Sequence, residues 1–104
     1  MIIHNITLNI DDSIHQQGLV FLKDEFIPQM LDTGFFYKAL MTRVNVNEEM
    51  GGQTYSVQFR AESWEALQKF KTEKEARMLV AFNRFGDKIV MFATELEVVL
   101  EQEV

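Results

Sequence analysis

The side chains with the most evident chemical potential lie on one face of a short strand. Residues 54–61 alternate between apolar and polar side chains, and Ser56, Gln58 and Arg60 share the polar face. Arg60 carries the only charge on that face, and a guanidinium group binds carboxylates through two parallel hydrogen bonds. The pattern favours an ordinary ion pair or a solvent-exposed strand end at Arg60, and the functional alternative is an anion site around this side chain.

A second strand, residues 2–10, supplies polar neighbours for this face. Asn5 and Thr7 alternate with Ile6 and Leu8, so the polar pair is expected to point away from the core. The aromatic cluster that follows the first helix adds one phenol hydroxyl, that of Tyr37. The candidate ligand-binding residues, all with a polar group directed to this open face, are Arg60, Gln58, Ser56, Asn5, Thr7 and Tyr37. Together they would suit a small organic anion.

Neither of the two histidines has an orienting partner that the sequence identifies. By alternation His4 falls on the helix-facing side of its strand, and His15 falls in the first turn of a helix. A histidine that titrates near neutrality serves as a base or a switch, but a histidine without a partner is more often an ordinary surface or edge residue. An enzyme would have only Arg60, Tyr37 and His4 to draw on, so the catalytic residues stay unassigned.

The composition excludes several classes of site. The 104 residues contain no cysteine, which removes disulfides, thiolate metal sites and cysteine nucleophiles. The sequence also contains no zinc pattern, P-loop or nucleophile elbow. We therefore expect no metal and no cofactor, and a single domain over residues 1–104.

Charge and hydropathy limit the partners. The net charge is -6, and a negative globule repels phosphate backbones unless its basic residues form one patch. Six of the ten basic residues lie between residues 69 and 88, but acidic residues are interspersed with them. The N-terminus lacks the features of a signal peptide, and no apolar run is long enough to span a membrane. We expect no nucleic-acid partner, no membrane partner and a cytoplasmic location.

Hydrophobic periodicity and capping residues divide the chain into six elements. They follow in the order strand, helix, strand, strand, helix, strand, over residues 2–10, 11–33, 35–47, 54–61, 63–82 and 88–100. Ser63 is a typical N-cap of the second helix. Pro28 is expected to kink the first helix, and the polar residues 71–75 are expected to bend the second. Gly51 and Gly52, in a predicted turn at residues 48–52, suit positive φ.

This order of elements predicts an α+β protein with the ferredoxin-like βαββαβ plan. Its four-stranded antiparallel sheet has the order 4-1-3-2, with two helices on one face. The central strands are expected to face the helices with Ile6, Leu8, Tyr55, Val57 and Phe59. The last strand is expected to turn Ile89, Met91 and Ala93 to the open face, and Val90, Phe92 and Leu96 to the helices.

The open face would then have a polar floor and partly apolar sides. An isolated domain seldom leaves such apolar sides exposed to water. Two explanations stay open, namely a homodimer joined through its sheet faces and a ligand cavity between two sheets. RNA binding through the third strand is disfavoured, because the aromatic residues Tyr55 and Phe59 would face the helices.

Three segments resemble a small bacterial family, domain of unknown function 4286. They are MIIHNITLNID at the start, GGQTYSVQF in the middle and FGDKIVMFATELEVV near the end. The resemblance implies a dimeric α+β barrel, similar to a group that includes small monooxygenases, EthD-like proteins and haem-degrading enzymes. Proteins that look like this one often carry a histidine at the position of Phe26, and its absence disfavours haem binding and a general base at that position.

The resemblance and the residues together favour a ligand-binding or structural homodimer without a catalytic motif. The alternative is a cofactor-free oxygenase or isomerase that acts on an organic substrate in the pocket on the sheet face. An enzyme of that kind needs a group that moves a proton within reach of the bound substrate.

Overall fold

The sheet has four strands in the computed structural model, which describes residues 1–45 and 51–104. The strands are β1 (Ile2–Ile10), β2 (Lys38–Arg43), β3 (Gln53–Ala61) and β4 (Ile89–Glu97). Neighbouring strands are antiparallel and follow the order β2-β3-β1-β4. This is the predicted order 4-1-3-2 read from the other edge, so the ferredoxin-like α+β fold is confirmed.

The helical layer consists of two interrupted segments. The first contains a 3-10 turn (Asp12–Ile14), α1 (His15–Phe21), a π-helical turn (Leu22–Phe26) and α2 (Ile27–Asp32). The second contains α3 (Trp64–Glu73), α4 (Glu75–Val80) and a 3-10 segment (Ala81–Lys88) that changes direction at Gly86. Of the helices in the described part of the chain, none has the length and apolar character that a membrane crossing requires.

Local sequence accounts for where these segments start and break. Pro28 has no N–H for the α-helical bond to the Asp24 carbonyl, and the π-helical turn immediately precedes α2 at this point. Ser63 Oγ accepts a hydrogen bond from the Ala66 N–H at 3.1 Å, so the predicted N-cap is confirmed. Lys74 leaves helical geometry with φ -128°, which separates α3 from α4 inside the predicted bend.

The core lies between the sheet and the helices. Alternate residues of β1 and β3 are buried, as predicted, and Ile6, Leu8, Tyr55, Val57 and Phe59 are among them. The helical side chains that are fully buried with them are mostly large and apolar: Phe21, Leu22, Phe26, Met30, Leu67 and Phe70. The residues between the buried ones in β1 stay partly exposed, so the second face of the sheet is open.

The phase of β4 is the reverse of the prediction. Its register with β1 sets Ala93 opposite Ile6, and residues directly opposite in a sheet point to the same face. Ile89, Met91 and Ala93 therefore face the helices, whereas Val90, Phe92 and Leu96 lie on the open face. Alternation could not decide this, because every residue from 89 to 93 is apolar. The strand also ends at Glu97, before the predicted residue 100.

The second strand is shorter than the predicted strand over residues 35–47. It begins at Lys38 because Phe36 turns into the core, where its ring lies 5.5 Å from that of Phe59. Residues 46–50, which include the end of the predicted strand and most of the predicted turn, lie outside the described residues. Gly51 and Gly52 have φ of 81° and 77°, so the positive φ expected of them is confirmed.

Candidate functional site

The register of the strands arranges the open face in rows that run across the sheet. Each row takes one residue from β2, β3, β1 and β4 in turn: Lys38–Arg60–Ile3–Leu96, Leu40–Gln58–Asn5–Thr94 and Thr42–Ser56–Thr7–Phe92. In the next row, Asn9 of β1 pairs with Thr54 and Val90. The two central strands are therefore mostly polar on this face, and the outer strands carry its large apolar side chains.

Hydrogen bonds join the central polar side chains into one layer, here called the polar floor (Asn5, Thr7, Asn9, Thr54 and Ser56). Ser56 Oγ donates to Asn5 Oδ1 at 2.6 Å, and Asn5 Nδ2 donates to Thr7 Oγ1 at 3.2 Å. Asn9 Nδ2 reaches Thr54 Oγ1 at 3.3 Å. These bonds span β1 and β3, so the floor is held by side chains as well as by the backbone.

The apolar margins of this face are unusually exposed. Phe92 is 64% exposed and Val90 is 57% exposed, although both belong to a regular strand. Leu96 on the same strand and Leu40 on β2 are also exposed. Burying such side chains is favourable by about 1.5–3 kcal/mol each, so this margin is a surface that gains from being covered.

A depression of about 460 Å³ lies between the polar floor and the β4 margin. Its lining combines polar and apolar residues: Thr7, Leu8, Asn9, Gly51, Thr54, Val90, Met91 and Phe92. A few convergent polar groups beside apolar walls are typical of a small-molecule site. The lining contains no ionisable side chain among the described residues.

Five of the six residues proposed from the sequence share the open face. Asn5, Thr7 and Ser56 are joined by the hydrogen bonds of the floor, and Gln58 lies directly opposite Asn5 in the same row. Arg60 lies at the far end of β3, where its Nη1 is 3.4 Å from Glu101 Oε2. Arg60 is four positions along the strand from Ser56, a span of about 13 Å.

Tyr37 does not join the others. It precedes β2, and its side chain lines a separate hollow with Gly34, Glu62 and Ala66. Tyr37 was expected on the open face because a strand was predicted to begin at residue 35. That strand begins at Lys38, so Tyr37 lies outside the alternation from which its position was inferred.

The structure places two carboxylates near His4 that the sequence did not reveal, although neither is within hydrogen-bond distance. Its ring is 2% exposed, and Nδ1 lies 3.9 Å from Glu95 Oε1 while Nε2 lies 4.0 Å from Glu75 Oε2. Glu95 is also paired with the ammonium group of Lys71. Alternation in β1 correctly predicted that His4 faces the helices. The proximity of Glu95 could not be predicted, because it depends on the register between β1 and β4.

Burial sets the protonation of His4. It lowers the pKa of His4 below the ordinary value of 6.5, with Lys71 acting in the same direction and the Glu95 carboxylate opposing it. The hydrogen bond from Lys71 lowers the pKa of Glu95. The cluster at neutral pH therefore contains a neutral imidazole beside the charged carboxylate of Glu95.

His15 also has a partner on the helix side of the sheet. Its Nε2 lies 2.7 Å from the Tyr55 hydroxyl, and Arg43 donates to that hydroxyl at 3.1 Å. Tyr55 is buried, and Gln53 accepts from it at 3.4 Å. These contacts anchor the start of helix α1 to β3, so His15 is held in place by packing and by hydrogen bonds.

Metal-ligating side chains do not gather in the described part of the chain. Over residues 1–45 and 51–104, no group of three or more histidine, cysteine, aspartate or glutamate side chains has the geometry to hold a metal ion. The functional candidates are therefore the open face and the two histidine clusters.

Solved structures with the same fold cover nearly the whole chain. An ethyl tert-butyl ether d (EthD) family protein from Bacillus halodurans C-125 is 17% identical with a TM-score of 0.70, covering 95% of this chain and 100% of that one. A dimeric ferredoxin-like protein from an uncultured marine organism is 15% identical with a TM-score of 0.65, covering 100% of both chains. Hydroxynitrile lyase from Passiflora edulis is 13% identical with a TM-score of 0.59, covering 96% and 97%. At these identities the likeness shows the fold alone.

Sequence comparison is more specific than fold comparison here. The model of the family described as domain of unknown function (DUF4286) matches residues 1–99. No curated protein matches the chain. The match covers all the strands and helices of the described fold, including the open face and the two histidine clusters.

Proposed function

We propose that this chain, which belongs to the DUF4286 family, forms a homodimer through its open sheet faces and binds a small organic molecule between them. One observation carries the proposal: a hydrogen-bonded polar floor and a depression of about 460 Å³ lie beside strongly exposed apolar side chains of β4. The cytoplasmic location expected from the sequence is part of the proposal.

The size of the open face supports a second copy as its cover. Three strands of nine residues and one of six, spaced about 4.8 Å apart, give a face of at most roughly 30 by 19 Å. The side chains that project from the face increase its accessible area toward the roughly 800 Å² that each partner buries in a standard interface. One of the solved structures with this fold is a dimeric ferredoxin-like protein, which supports the same arrangement here.

The character of the depression favours binding over proton transfer. Its polar groups are hydroxyls, amides and backbone atoms of residues such as Thr7, Asn9 and Thr54. Such groups orient a ligand by hydrogen bonds, whereas general acid–base catalysis needs a group that titrates near the operating pH. The oxygenase or isomerase alternative needs a titrating residue that the described lining of the depression does not contain.

Arg60 and Gln58 suggest the form of the ligand. A guanidinium group binds a carboxylate well, and the present partner of Arg60, Glu101, is more than half exposed at 3.4 Å. A molecule that touches both Arg60 and Phe92, which lies in the row of Ser56, must bridge about 13 Å along the strands. We therefore propose an elongated organic acid, with its carboxylate at Arg60 and its apolar body against Phe92 and Val90.

A chain-length series tests this form of the ligand. Thermal unfolding of the protein with butanoate, octanoate and decanoate should give stabilisation that grows with length, and octan-1-ol should give little. A charged contact to the ligand contributes about 1.5–3 kcal/mol, so Arg60→Ala should weaken octanoate binding by one to two orders of magnitude.

Arg84→Ala is the matched control for Arg60→Ala. Arg84 also forms an exposed ion pair, with Glu25 at 2.9 Å, but it belongs to the helical layer. Arg60→Ala should cost at most about 1 kcal/mol of stability. Arg84→Ala should cost more, because the Arg84 guanidinium also lies 4.4 Å from the centre of the Phe21 ring, but only Arg60→Ala should affect binding. If Arg60→Ala binds octanoate as tightly as the wild type does, the anion site does not include Arg60. If none of the acids binds, the proposed organic-acid ligand is wrong and the homodimer has a structural role.

A further inference from the structure

A second pocket lies on the helix side of the sheet, away from the open face. It has a volume of about 380 Å³ and is lined by Ile2, Trp64, Glu95 and Glu97. The sheet register pairs Ile2 with Glu97 and His4 with Glu95, so the pocket adjoins the buried imidazole. Trp64 is the first residue of α3 and is 49% exposed, which makes its indole an accessible wall.

The charges around this pocket do not balance. Glu95 is paired with Lys71, but Glu97 forms no ion pair or hydrogen bond within the described residues. Glu75 adds a third carboxylate at 4.0 Å from His4. Of the two carboxylates that line the pocket, Glu95 is therefore neutralised by Lys71, whereas Glu97 has no ionic partner within the described residues.

His4 adds a second observation, a buried ring nitrogen without a hydrogen bond. Nδ1 has no hydrogen-bond partner among the described residues, and it lies 3.9 Å from Oε1 of Glu95. Glu95 is one wall of the pocket, so an unsatisfied polar atom lies directly behind that wall.

We propose that this pocket binds an organic cation of the alkylated-ammonium class. The face of a tryptophan ring attracts such cations, Ile2 provides an apolar contact for their alkyl groups, and Glu97 provides the counter-charge. A metal ion fits less well, because the described residues hold no cluster of three suitable ligands. The proposal does not depend on the dimer or on the open-face ligand, since the pocket lies on the opposite side of the sheet.

The single tryptophan of the chain gives a direct readout. Fluorescence of Trp64 is titrated with choline and with 3,3-dimethylbutan-1-ol, the uncharged molecule of the same shape. We expect a saturable change with choline alone. Glu97→Gln should weaken choline binding by about fivefold, as expected for loss of a partly exposed ion pair.

Glu103→Gln is the matched control, because it removes the same charge from the C-terminal tail, beyond β4. It should leave choline binding unchanged. Glu97 is exposed, so Glu97→Gln is expected to fold, which circular dichroism verifies. The proposal is overturned if choline gives no saturable change, if the uncharged molecule binds equally well, or if Glu97→Gln and Glu103→Gln behave alike.

Discussion

At the scale of single residues, His4 shows how burial and charge compete. Its ring packs between Phe36 and Phe70, with ring centres 6.0 and 5.7 Å away. These aromatic neighbours exclude water and disfavour the charged imidazolium. The Glu95 carboxylate acts in the opposite direction, but burial is the larger effect on the pKa of His4.

The lowered pKa of His4 predicts a pH-dependent stability. Below about pH 6.5, its ordinary value, the unfolded chain binds a proton at this position more readily than the folded chain does. The free energy of unfolding should therefore fall as the pH drops through the interval between 6.5 and the folded-state pKa. The slope there is at most about 1.4 kcal/mol per pH unit, and urea unfolding at a series of pH values measures it.

His4→Phe should remove this part of the pH dependence and keep the ring packing, whereas His15→Gln should keep the dependence. The comparison is made above pH 4.5. The pKa of Glu95 is lowered from that value, so the contribution of Glu95 to the free energy of unfolding is lost only below pH 4.5. An identical slope in wild type and His4→Phe would contradict the assignment to His4.

At the scale of elements, the Gly51–Gly52 pair controls how β3 begins next to β1. Both residues have positive φ, but only Gly52 is crowded. A Cβ on Gly52 would overlap the Asn9 side chain and lie 2.8 Å from the Ile10 carbonyl oxygen, while a Cβ on Gly51 would meet nothing within 4 Å. The polar floor thus depends on a glycine at residue 52.

Alanine substitutions separate backbone strain from crowding at this turn. Gly51→Ala should cost about 1–2 kcal/mol, the cost of left-handed geometry for an L-residue. Gly52→Ala should cost a further 1–3 kcal/mol or so, as is typical of overpacking. Urea unfolding of both variants measures the difference, and equal losses would show that Asn9 moves away without cost.

The elements also show what the sequence could predict and what it could not. β1 and β3 were assigned the correct faces because Asn5 and Thr7 alternate with Ile6 and Leu8, and a period of two has only one buried phase. β4 was assigned the wrong faces because both of its sides are apolar over residues 89–93. Only the pairing of Ile6 with Ala93 decides between the two phases.

The candidate sites depended on the same distinction. Asn5, Thr7, Ser56, Gln58 and Arg60 were grouped correctly on one face, because each lies in a strand of clear alternation. The binding role of the group stays a prediction. The His4 partners and the pocket at Trp64 were missed, since both need side chains from strands and helices that are remote in sequence.

At the scale of the whole molecule, the fold is a thin slab with one uncovered face. Its extents are 37 by 36 by 20 Å, which correspond to one sheet and one layer of helices. The strands expose Val90 and Phe92 on the uncovered face, while the helices cover the other. A second copy that packs sheet against sheet would bury this surface and enclose the polar floor.

Two valines of nearly equal exposure allow this claim to be tested with a matched pair. Val90 on the open face is 57% exposed, and Val80 at the end of α4 is 60% exposed. Val90→Asp would bury a carboxylate in the proposed interface, at a cost of several kcal/mol. Val80→Asp adds the same charge outside the interface and should leave association unchanged.

Sedimentation equilibrium of the wild type and the two variants at micromolar concentration is the most direct measurement. We expect wild type and Val80→Asp at twice the chain mass of 12.2 kDa, and Val90→Asp close to the mass of one chain. A wild-type mass of one chain throughout the concentration range would contradict the sheet-to-sheet homodimer. So would a Val90→Asp variant that associates as strongly as Val80→Asp.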